Sequence, residues 1–368
     1  MIARHSVLGF IESFRDPGAL PGKLHVLPGN GDCPVNETGS SLVSTTELKG
    51  WVDGIREINA EAADASGGDG GKERMTAPYD AAAGWSLHGE LWNWGIHDQT
   101  LADEINRLLP GFDRYDTDGH SEQLYLMTLR ELPLAYADYQ GIRILEVGCG
   151  MGHGLNFLSR VVPAARLVGL DLSQPAVDRA NATLSRGNQL FYVHGDAENL
   201  PFEDSEFDVV INVESSHNYP DLGRFIREVA RVLKPGGHLS HVDIMTDRRL
   251  TEFAALKRAD HGLHWTAERD VSEQVRESIR RRMRPGSTVR ELYRYKKHKL
   301  PFAVRRMGGP DGIRFYGAEF AGYRDSLPVR IVNVALGRPS KPAIDGGSYV
   351  FSVAEKPLRG TQNIPPIA

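Results

Sequence analysis

Four glycines alternate with other residues in ILEVGCGMGHG, the segment that spans residues 144–154. They are Gly148, Gly150, Gly152 and Gly154, and they stand between an apolar stretch and a helical pattern. Glycine lets the backbone approach a ligand closely, and a helix N-terminus offers unpaired N–H groups. The spacing therefore predicts a small-molecule site at a strand–helix turn. A tight turn without a ligand is the alternative interpretation.

The spacing and charge of this segment narrow the choice of ligand. A dinucleotide-binding turn has the pattern G-x-G-x-x-G, which from Gly148 would need a glycine where His153 stands. Glu146 precedes the turn, and a carboxylate there would repel a pyrophosphate but suits a ligand with an ammonium group. We expect His153 to be a neighbour of the ligand and not a catalyst.

Two further acids stand where a nucleoside would meet a sheet. Asp171 lies nineteen positions after Gly152, close to the ~20 typical of a ribose-binding acid. Asp196 and Ala197 follow another apolar stretch, where a side chain can reach an adenine amino group. Ligands of parallel α/β sheets bind at the carboxyl ends of the strands, so these positions together predict a nucleoside site.

The elements that must position these residues alternate between strand and helix. Apolar stretches predict five strands, at 142–147, 165–170, 190–194, 207–213 and 238–244. Ser173 and Asp221 are expected to cap two of the helices, and the Lys-Pro-Gly-Gly segment at 234–237 to end the second. Repeated strand–helix units predict an α/β fold with a doubly wound, mostly parallel sheet.

The chain divides by composition into four regions. Residues 1–75 are rich in Gly, Pro, Asn and Ser and predict a poorly ordered leader and linker. Two helical stripes predict an N-terminal helical cap at 76–140, ahead of a ligand-binding core at 141–245. Residues 246–368 are expected to form a substrate-binding insertion and C-terminal strands, including 329–335 and 349–354. Within them, Asp270 and Glu273 resemble a capping box.

Composition excludes several classes of protein. The chain has 368 residues, 40% of them hydrophobic, and a net charge of −5, which argues against a dedicated nucleic-acid binder. Its two cysteines cannot form a disulfide framework, and no apolar run is long enough to span a membrane. We expect a cytoplasmic protein without stable membrane insertion. The sequence leaves open whether it forms a homo-oligomer.

The glycine turn and the acidic residues that follow it resemble motifs of the class I S-adenosylmethionine-dependent methyltransferases. EVGCGMGHG is similar to their first motif, LDLS to their second-strand acid and GDAENLPF to their adenine-side segment. The stretch from GDAENLPF to FDVVINVESSHNYP, together with WNWGIHD at 92–98, resembles a narrower group. These are the phthiotriolone/phenolphthiotriolone dimycocerosate methyltransferases, which O-methylate a hydroxyl on a lipid or polyketide. The resemblance covers about residues 80–300; residues 1–75 have no counterpart, and 245–368 match poorly.

The resemblance implies a Rossmann-like fold, S-adenosyl-L-methionine as cofactor and a small-molecule or lipid-like acceptor. It places Glu146 at the methionine ammonium, Asp171 at the ribose and Leu172 against the adenine. The remaining implied cofactor contacts are Gly148, Gly150 and Gly152 at the turn, Asp196 and Ala197 at the adenine edge, and Asn212 and Val213 beside the sulfonium.

The residues after the fourth predicted strand could supply a catalytic base. Methyl transfer is an in-line displacement that depends on positioning, and a hydroxyl nucleophile benefits from a base with a pKa near neutrality. His217 is the first candidate, and Glu214 and Tyr219 are secondary candidates. A histidine that only packs the loop is the alternative interpretation.

A metal site is also conceivable at the fifth predicted strand. His238, His241 and Asp243 supply two histidines and a carboxylate, and His261 and His264 could add ligands. In a strand, however, residues 241 and 243 face one side and residue 238 the other. We therefore expect ordinary strand and loop histidines and no metal.

Two other features carry alternative interpretations. The basic run at 276–299 favours the solvated face of a helix over a surface that attracts anions. The aromatic residues either cover an apolar substrate pocket or pack in the core; they are Trp85, Trp92, Trp94 and Tyr125.

The function predicted from the sequence is O-methylation of a hydroxyl on a small or lipophilic natural product, as in secondary metabolism. C- or N-methylation, with or without a metal, is the alternative within the enzyme class. A nicotinamide-dependent oxidoreductase and a non-catalytic cofactor-binding module are alternatives of other classes.

Overall fold

A computed structural model describes residues 93–112, 117–287, 320–323 and 347–358. The predicted leader and linker, Trp85, Trp92 and the strand expected at 329–335 lie outside the described residues. The helices are α1 (Gln99–Leu108), α2 (His120–Arg130), α3 (His153–Val161), α4 (Gln174–Leu184), α5 (Leu222–Val232), α6 (Asp247–Arg258) and α7 (Ser272–Met283). The strands are β1 (Arg143–Val147), β2 (Arg166–Asp171), β3 (Leu190–His194), β4 (Phe207–Val213), β5 (Leu233–Met245), β6 (His264–Asp270) and β7 (Ser348–Glu355).

The strands form one seven-stranded sheet in the order β3-β2-β1-β4-β5-β7-β6. The first five strands in this order are parallel, and β7 runs antiparallel to both β5 and β6. Central strands read as unbroken apolar runs because helices cover both faces of such a sheet. The predicted α/β fold with a doubly wound, mostly parallel sheet is confirmed.

Four of the five predicted strands match the observed bounds to within one residue, but the fifth begins five residues early, at Leu233. The helix before it does end ahead of Lys-Pro-Gly-Gly, as expected. The pairing of β4 with β5 then shifts register between Phe207 and Val209, which absorbs the proline and glycines. Gly236 and Gly237 also exchange backbone hydrogen bonds with Lys356, so this segment is an irregular strand and not a separate loop.

Two of the three predicted helix caps are present in the structure. The Ser173 side chain accepts a hydrogen bond from the Ala176 N–H, and the Asp221 side chain accepts one from the Arg224 N–H. Before α7, Asp270 accepts from the Ser272 N–H, but Glu273 bonds Arg280 instead of turning back. The capping box is therefore formed only in part, because a nearby arginine attracts the second carboxylate.

Helix α2 lies deep in the molecule, and every residue from His120 to Leu129 is buried. The preceding segment is tied to it by a hydrogen bond from the Ile96 N–H to the His120 carbonyl, and to α7 by one from the His97 N–H to the Gln274 carbonyl. This packing brings the middle of α2 against the turn between β1 and α3. Among the described residues, no helix has both the length and the apolar character needed to cross a membrane.

Candidate active site

The glycine turn connects β1 to α3 and leaves open space on one side. Gly150 has a φ of 53°, and a Cβ built there would meet nothing within 4 Å. Its N–H donates to Asp171 Oδ2 at 2.7 Å, which fixes the turn to the end of β2. A Cβ at Gly148 would instead lie 1.8 Å from Ser215 Oγ, so that glycine admits a side chain from the loop after β4. The turn therefore contacts the ends of two other strands, and the space beside Gly150 is open.

Glu146, on β1, is completely buried beside this turn. The Tyr125 hydroxyl of α2 donates to its Oε1 at 2.7 Å, whereas its Oε2 is buried and has no hydrogen-bond partner. Burial raises the pKa of Glu146 to about 8, and the nearby Asp171 carboxylate adds to the rise. An unpaired carboxyl oxygen in this place fits a ligand that brings a hydrogen-bond donor or a positive charge.

The residues predicted to contact a nucleoside lie at neighbouring strand ends. Asp171, at the end of β2, accepts from the Gly150 N–H and, through Oδ1, from the Ser173 N–H at 2.9 Å. Asp196 follows β3 and accepts from the Glu198 N–H, and Ala197 beside it is buried. The Leu172 carbonyl lies 3.1 Å from His194 Nε2. The adjacent strands β2 and β3 thus bring these positions to one edge, and their ligand contacts stay predictions.

Asn212 and Val213 end β4, between the glycine turn and the loop that follows. Asn212 is fully buried, and its Nδ2 donates to the Val147 carbonyl at 2.7 Å and to the Tyr219 hydroxyl at 3.0 Å. The same hydroxyl lies 2.8 Å from Ser215 Oγ, while Asn212 Oδ1 is buried without a partner. Burial raises the pKa of Tyr219, so this phenol stays neutral and serves as a hydrogen-bonding group. Because it already carries its proton, Tyr219 ranks after the neighbouring histidine as a candidate base.

His217 forms a pair with Asp243, a buried residue of β5. His217 Nδ1 lies 2.7 Å from Asp243 Oδ1, and the His217 backbone N–H donates to Oδ2 at 2.9 Å. Burial lowers the pKa of the imidazole, but the Asp243 carboxylate outweighs it, and the pKa is raised overall. His217 Nε2 lies 3.0 Å from Asn218 Nδ2, and the side chain keeps 22% of its surface exposed. The imidazole is thus oriented by a carboxylate and accessible, as a general base requires.

Asp243 itself is held by donors on every side. Besides the two donors of His217, it accepts from Ser216 Oγ at 2.7 Å and from the Ile244 N–H at 2.7 Å. Burial alone would raise the pKa of Asp243, but the charge and hydrogen bonds of His217 and its other donors lower it overall. Asp243 therefore stays ionised and keeps His217 in one orientation.

Glu214 lies between this pair and the elements that cover the sheet. Its φ of 46° belongs to the left-handed region, which only a few per cent of non-glycine residues adopt. Its Oε1 accepts from the Trp94 N–H at 2.6 Å and from the Tyr349 hydroxyl. Burial raises the pKa of Glu214 to about 7. The residue thus links the loop after β4 to β7 and to the segment before α1.

The arrangement of the histidines on β5 favours the expectation of structural residues. His241 is buried, and its Nε2 lies 2.8 Å from the same Ser216 hydroxyl that donates to Asp243. His238 lies on the other face of the strand, beside Glu355 of β7. Within the part of the chain that the structure describes, no three histidine, cysteine or acidic side chains are arranged so that they could hold a metal ion.

The arginines in the described part of the basic run form ion pairs with nearby acids. Arg280 and Arg281 form ion pairs with Glu273 and Glu277, and Arg282 is buried with Asp118 at 2.7 Å. Residues 288–299 of the run lie outside the described residues. The first half of this run therefore behaves as the solvated and structural face of a helix.

The described aromatic residues pack and also border the site. Trp94 and Tyr125 are both buried, and the Trp94 ring lies 5.5 Å from Phe320 and 6.2 Å from Tyr349. These rings pack in the core and also contact the site, since Tyr125 and Tyr349 each donate a hydrogen bond to one of its carboxylates.

Sequence reasoning missed four residues that form hydrogen bonds within the site: Ser216, Asn218, Tyr349 and Trp94, the last through its backbone. Ser216 and Asn218 flank His217, and a polar loop at a strand end could have suggested them. Tyr349 and Trp94 act from more than a hundred residues away, and nothing in the local sequence marks them. Tyr125 was considered only as a lid or a core residue.

The segment that contains the glycine turn also matches a known protein family. Residues 145–240 match a family model described as "Methyltransferase domain". This segment of the chain is therefore similar to a methyltransferase domain. The match runs from β1 into β5 and includes the glycine turn, Asp171, Asn212 and His217. The class I methyltransferase predicted from the sequence is thereby confirmed for this part of the chain.

Relatives of the methyltransferase domain include the group suggested by the sequence. Over 183 residues the chain is 37% identical to a phthiotriol/phenolphthiotriol dimycocerosates methyltransferase of Mycobacterium leprae, covering 50% of this chain and 64% of that protein. Over 176 residues it is 40% identical to a fatty-acid O-methyltransferase of Mycolicibacterium smegmatis, covering 47% and 57%. A geranyl diphosphate C-methyltransferase structure from Streptomyces coelicolor A3(2) has a TM-score of 0.48, at 16% identity over 78% of this chain and 98% of that chain. The chain spans less than two thirds of the length of these curated relatives.

Proposed function

We propose that this protein is an S-adenosylmethionine-dependent methyltransferase that methylates a neutral hydroxyl group of a small or lipophilic natural product. The observation that carries the proposal is the grouping of side chains at four strand ends: Glu146 on β1, Asp171 on β2, Asn212 on β4 and the His217–Asp243 pair beside them. The methyltransferase family match over the same strands supports the donor.

The residues present fit S-adenosylmethionine. Glu146 offers a buried, unpartnered carboxyl oxygen for the ammonium group, and the vacant side of Gly150 leaves room for a chain to pass. We assign the methionine moiety to Glu146, Gly148, Gly150 and Gly152, the ribose to Asp171, the adenine to Leu172, Asp196 and Ala197, and the sulfonium border to Asn212 and Val213. When bound, S-adenosylmethionine supplies an electrophilic methyl group on a cationic sulfur.

The His217–Asp243 pair supports a protonated nucleophile as the acceptor. A hydroxyl must lose its proton as its oxygen attacks the methyl carbon, whereas a carboxylate has none to lose. We assign His217 Nε2 as the atom that receives this proton, with the acceptor hydroxyl replacing Asn218 at 3.0 Å. Asp243, through His217 Nδ1, stabilises the imidazolium that results. Glu214 and Tyr219 border the same space and rank after His217.

A cluster of aromatic rings beside the site supports a lipophilic acceptor. Trp94, Phe320 and Tyr349 lie within 6.5 Å of one another by ring centroids, next to Glu214. The names of the relatives, which refer to phthiotriol dimycocerosates and fatty acids, support an apolar substrate. The cytoplasmic location, the homo-oligomer and the four-region division of the chain stay predictions.

The test begins with calorimetric titration of the protein with S-adenosylmethionine and, separately, with NAD(H). Saturable binding of S-adenosylmethionine alone is expected, and binding of NAD(H) alone would overturn the proposal. Transfer of a labelled methyl group is then measured to long-chain alcohols, phenols and fatty acids of matched chain length. Alcohols or phenols should accept the label, and their O-methyl ethers should not. Labelling of fatty acids alone would contradict the hydroxyl acceptor and leave the donor intact.

A further inference from the structure

Glu146 differs from the other acids of the site because one of its oxygens has no partner. The carboxyl group is fully buried, Oε1 is occupied by the Tyr125 hydroxyl at 2.7 Å, and Oε2 has no hydrogen-bond partner. Burial of a carboxylate oxygen without a donor is unfavourable, because the oxygen loses its hydrogen bonds to water and forms none in the protein. A proton on the carboxyl group removes most of that cost.

Among the residues that the structure describes, the titratable groups around Glu146 do not include a cation. Tyr125 faces it from α2, Cys149 from the turn, Asp171 from the end of β2 and Tyr192 from β3. Asp171 opposes a second negative charge nearby, and burial raises the pKa of both tyrosines and of the thiol, which keeps them neutral. The raised pKa of Glu146, about 8, agrees with this geometry. Without a ligand, Glu146 is therefore mostly protonated at neutral pH.

Tyr125 determines which oxygen remains for a ligand. Its ring lies against Gly154 so closely that a Cβ there would be 1.9 Å from the ring, and its hydroxyl reaches over the turn to Oε1. This contact fixes the carboxyl group through Oε1 and leaves Oε2 without a partner. Tyr125 is thus a positioning residue supplied to the glycine turn by a helix outside the matched domain.

We propose that Glu146, positioned by Tyr125, exchanges a proton for a cation, so that binding of a ligand ammonium group drives the Glu146 proton into solvent. The inference rests on the proposed function only in taking the ligand to be S-adenosylmethionine or its product, which carry this ammonium group. The carboxyl O–H bond breaks, its electron pair stays on oxygen, and the proton goes to the buffer. The carboxylate formed pairs with the ammonium group, and the net charge of the site is conserved.

The exchange has a defined pH dependence. Below the pKa of the free site, each unit of falling pH raises the proton concentration against which the ligand competes. The dissociation constant should therefore rise about tenfold per pH unit below about 8. At pH 7 close to one proton should be released for each ligand bound.

The experiment is calorimetric titration of the full chain at pH 7.0 with S-adenosylhomocysteine, which carries the ammonium group and cannot transfer a methyl group. Repeating it in phosphate and in Tris, whose ionisation enthalpies differ, yields the number of protons released. We expect a value near one for the wild-type protein. The matched ligand is 5′-methylthioadenosine, which has no ammonium group and should release none.

Two variants and one control test the roles of the residues. Glu146→Gln should abolish proton release and flatten the pH dependence of binding. Tyr125→Phe should weaken binding at pH 7 about tenfold, because the carboxylate loses a charged hydrogen bond, and should still release a proton. Tyr139→Phe removes a buried hydroxyl that bonds the Leu129 carbonyl and is not among the groups around Glu146, so it should behave as wild type.

The outcomes separate this inference from the proposed function. Binding of S-adenosylhomocysteine with no proton release, or with equal release by 5′-methylthioadenosine, overturns the exchange and leaves the methyltransferase. No saturable binding by a folded wild-type protein overturns the proposed function and the exchange with it. Circular dichroism of each variant establishes that it is folded.

Discussion

Glu146 and Asp243 are both completely buried carboxyl groups on the parallel part of the sheet, yet their environments are opposite. Glu146 receives one hydrogen bond, from Tyr125, whereas Asp243 receives four, from Ser216, Ile244 and two atoms of His217. The pKa of the first is raised to about 8, and that of the second is lowered. Burial alone therefore does not decide the charge of an acid in this protein. The hydrogen-bond donors and the charges around it do.

The difference suits the two halves of the site. Asp243 is permanently charged and orients a base, which requires a fixed partner. Glu146 changes its charge when a ligand arrives, which requires an incomplete set of donors. The side that we assign to the cofactor is thus responsive, and the side that we assign to the acceptor is preorganised.

The largest effect is expected from removing the base on the preorganised side. His217→Ala should lower kcat by about 10²–10⁴-fold, the usual contribution of a general base. The affinity for S-adenosylhomocysteine should stay within about twofold, because we assign His217 no contact with it. Single-turnover methyl transfer and calorimetry on the same protein check the two halves. Unchanged turnover would remove His217 from the mechanism.

A smaller loss should follow from neutralising its partner. Asp243→Asn keeps the shape but removes the charge that raises the pKa of His217. We expect kcat to fall by about 10²-fold and the acid limb of its pH profile to move to lower pH, since the imidazole then protonates less readily. A purely structural role for Asp243 would lower activity without moving that limb.

The smallest effect concerns stability and involves the responsive side. Glu146 has a pKa raised from 4.5 to about 8 in the folded state, so the native protein binds more protons than the unfolded chain between these values. The ligand-free protein should therefore lose stability as pH rises from about 5 to 8. Glu146→Gln should reduce this loss, with a higher unfolding temperature than wild type at pH 8 and little difference at pH 5. Thermal unfolding followed by circular dichroism at both pH values provides the check. A pH-independent difference between the two proteins would contradict the assignment.

The sequence predicts the parts of this comparison that lie next to one another along the chain. Strand ends, the glycine turn, Glu146, Asp171 and His217 are all readable, because periodicity and turn residues are local signals. Asp243 is also visible, but the sequence presents it only as one of three residues weighed for a metal site and judged to be ordinary, since nothing local indicates that His217 lies across from it. The residues that determine the charges of Glu146 and Asp243 are Tyr125 and His217, and each lies on an element distant in sequence from its partner.

The early start of β5 is the clearest case in which local reasoning failed. A Lys-Pro-Gly-Gly segment is typical of a loop, and the strand was expected to begin after it. Backbone pairing with Lys356, which lies over a hundred residues later, extends the strand across the glycines. Tyr349 reaches Glu214 by the same route, as part of the strand that precedes Lys356.

The position of β7 between β5 and β6 also dictates an order of assembly. β7 begins 78 positions after β6 ends, yet it supplies the sheet hydrogen bonds of β6 and covers the side of β5. During synthesis on the ribosome, the five parallel strands can associate while β5 still has a bare edge, which is an opportunity for misassociation with other chains. Tyr349, the second residue of β7, carries the hydroxyl that Glu214 accepts. Of the described strands, β7 is therefore made last; it joins β5 to β6 and brings Tyr349 to the acceptor side of the site, so a chain that lacks it has neither.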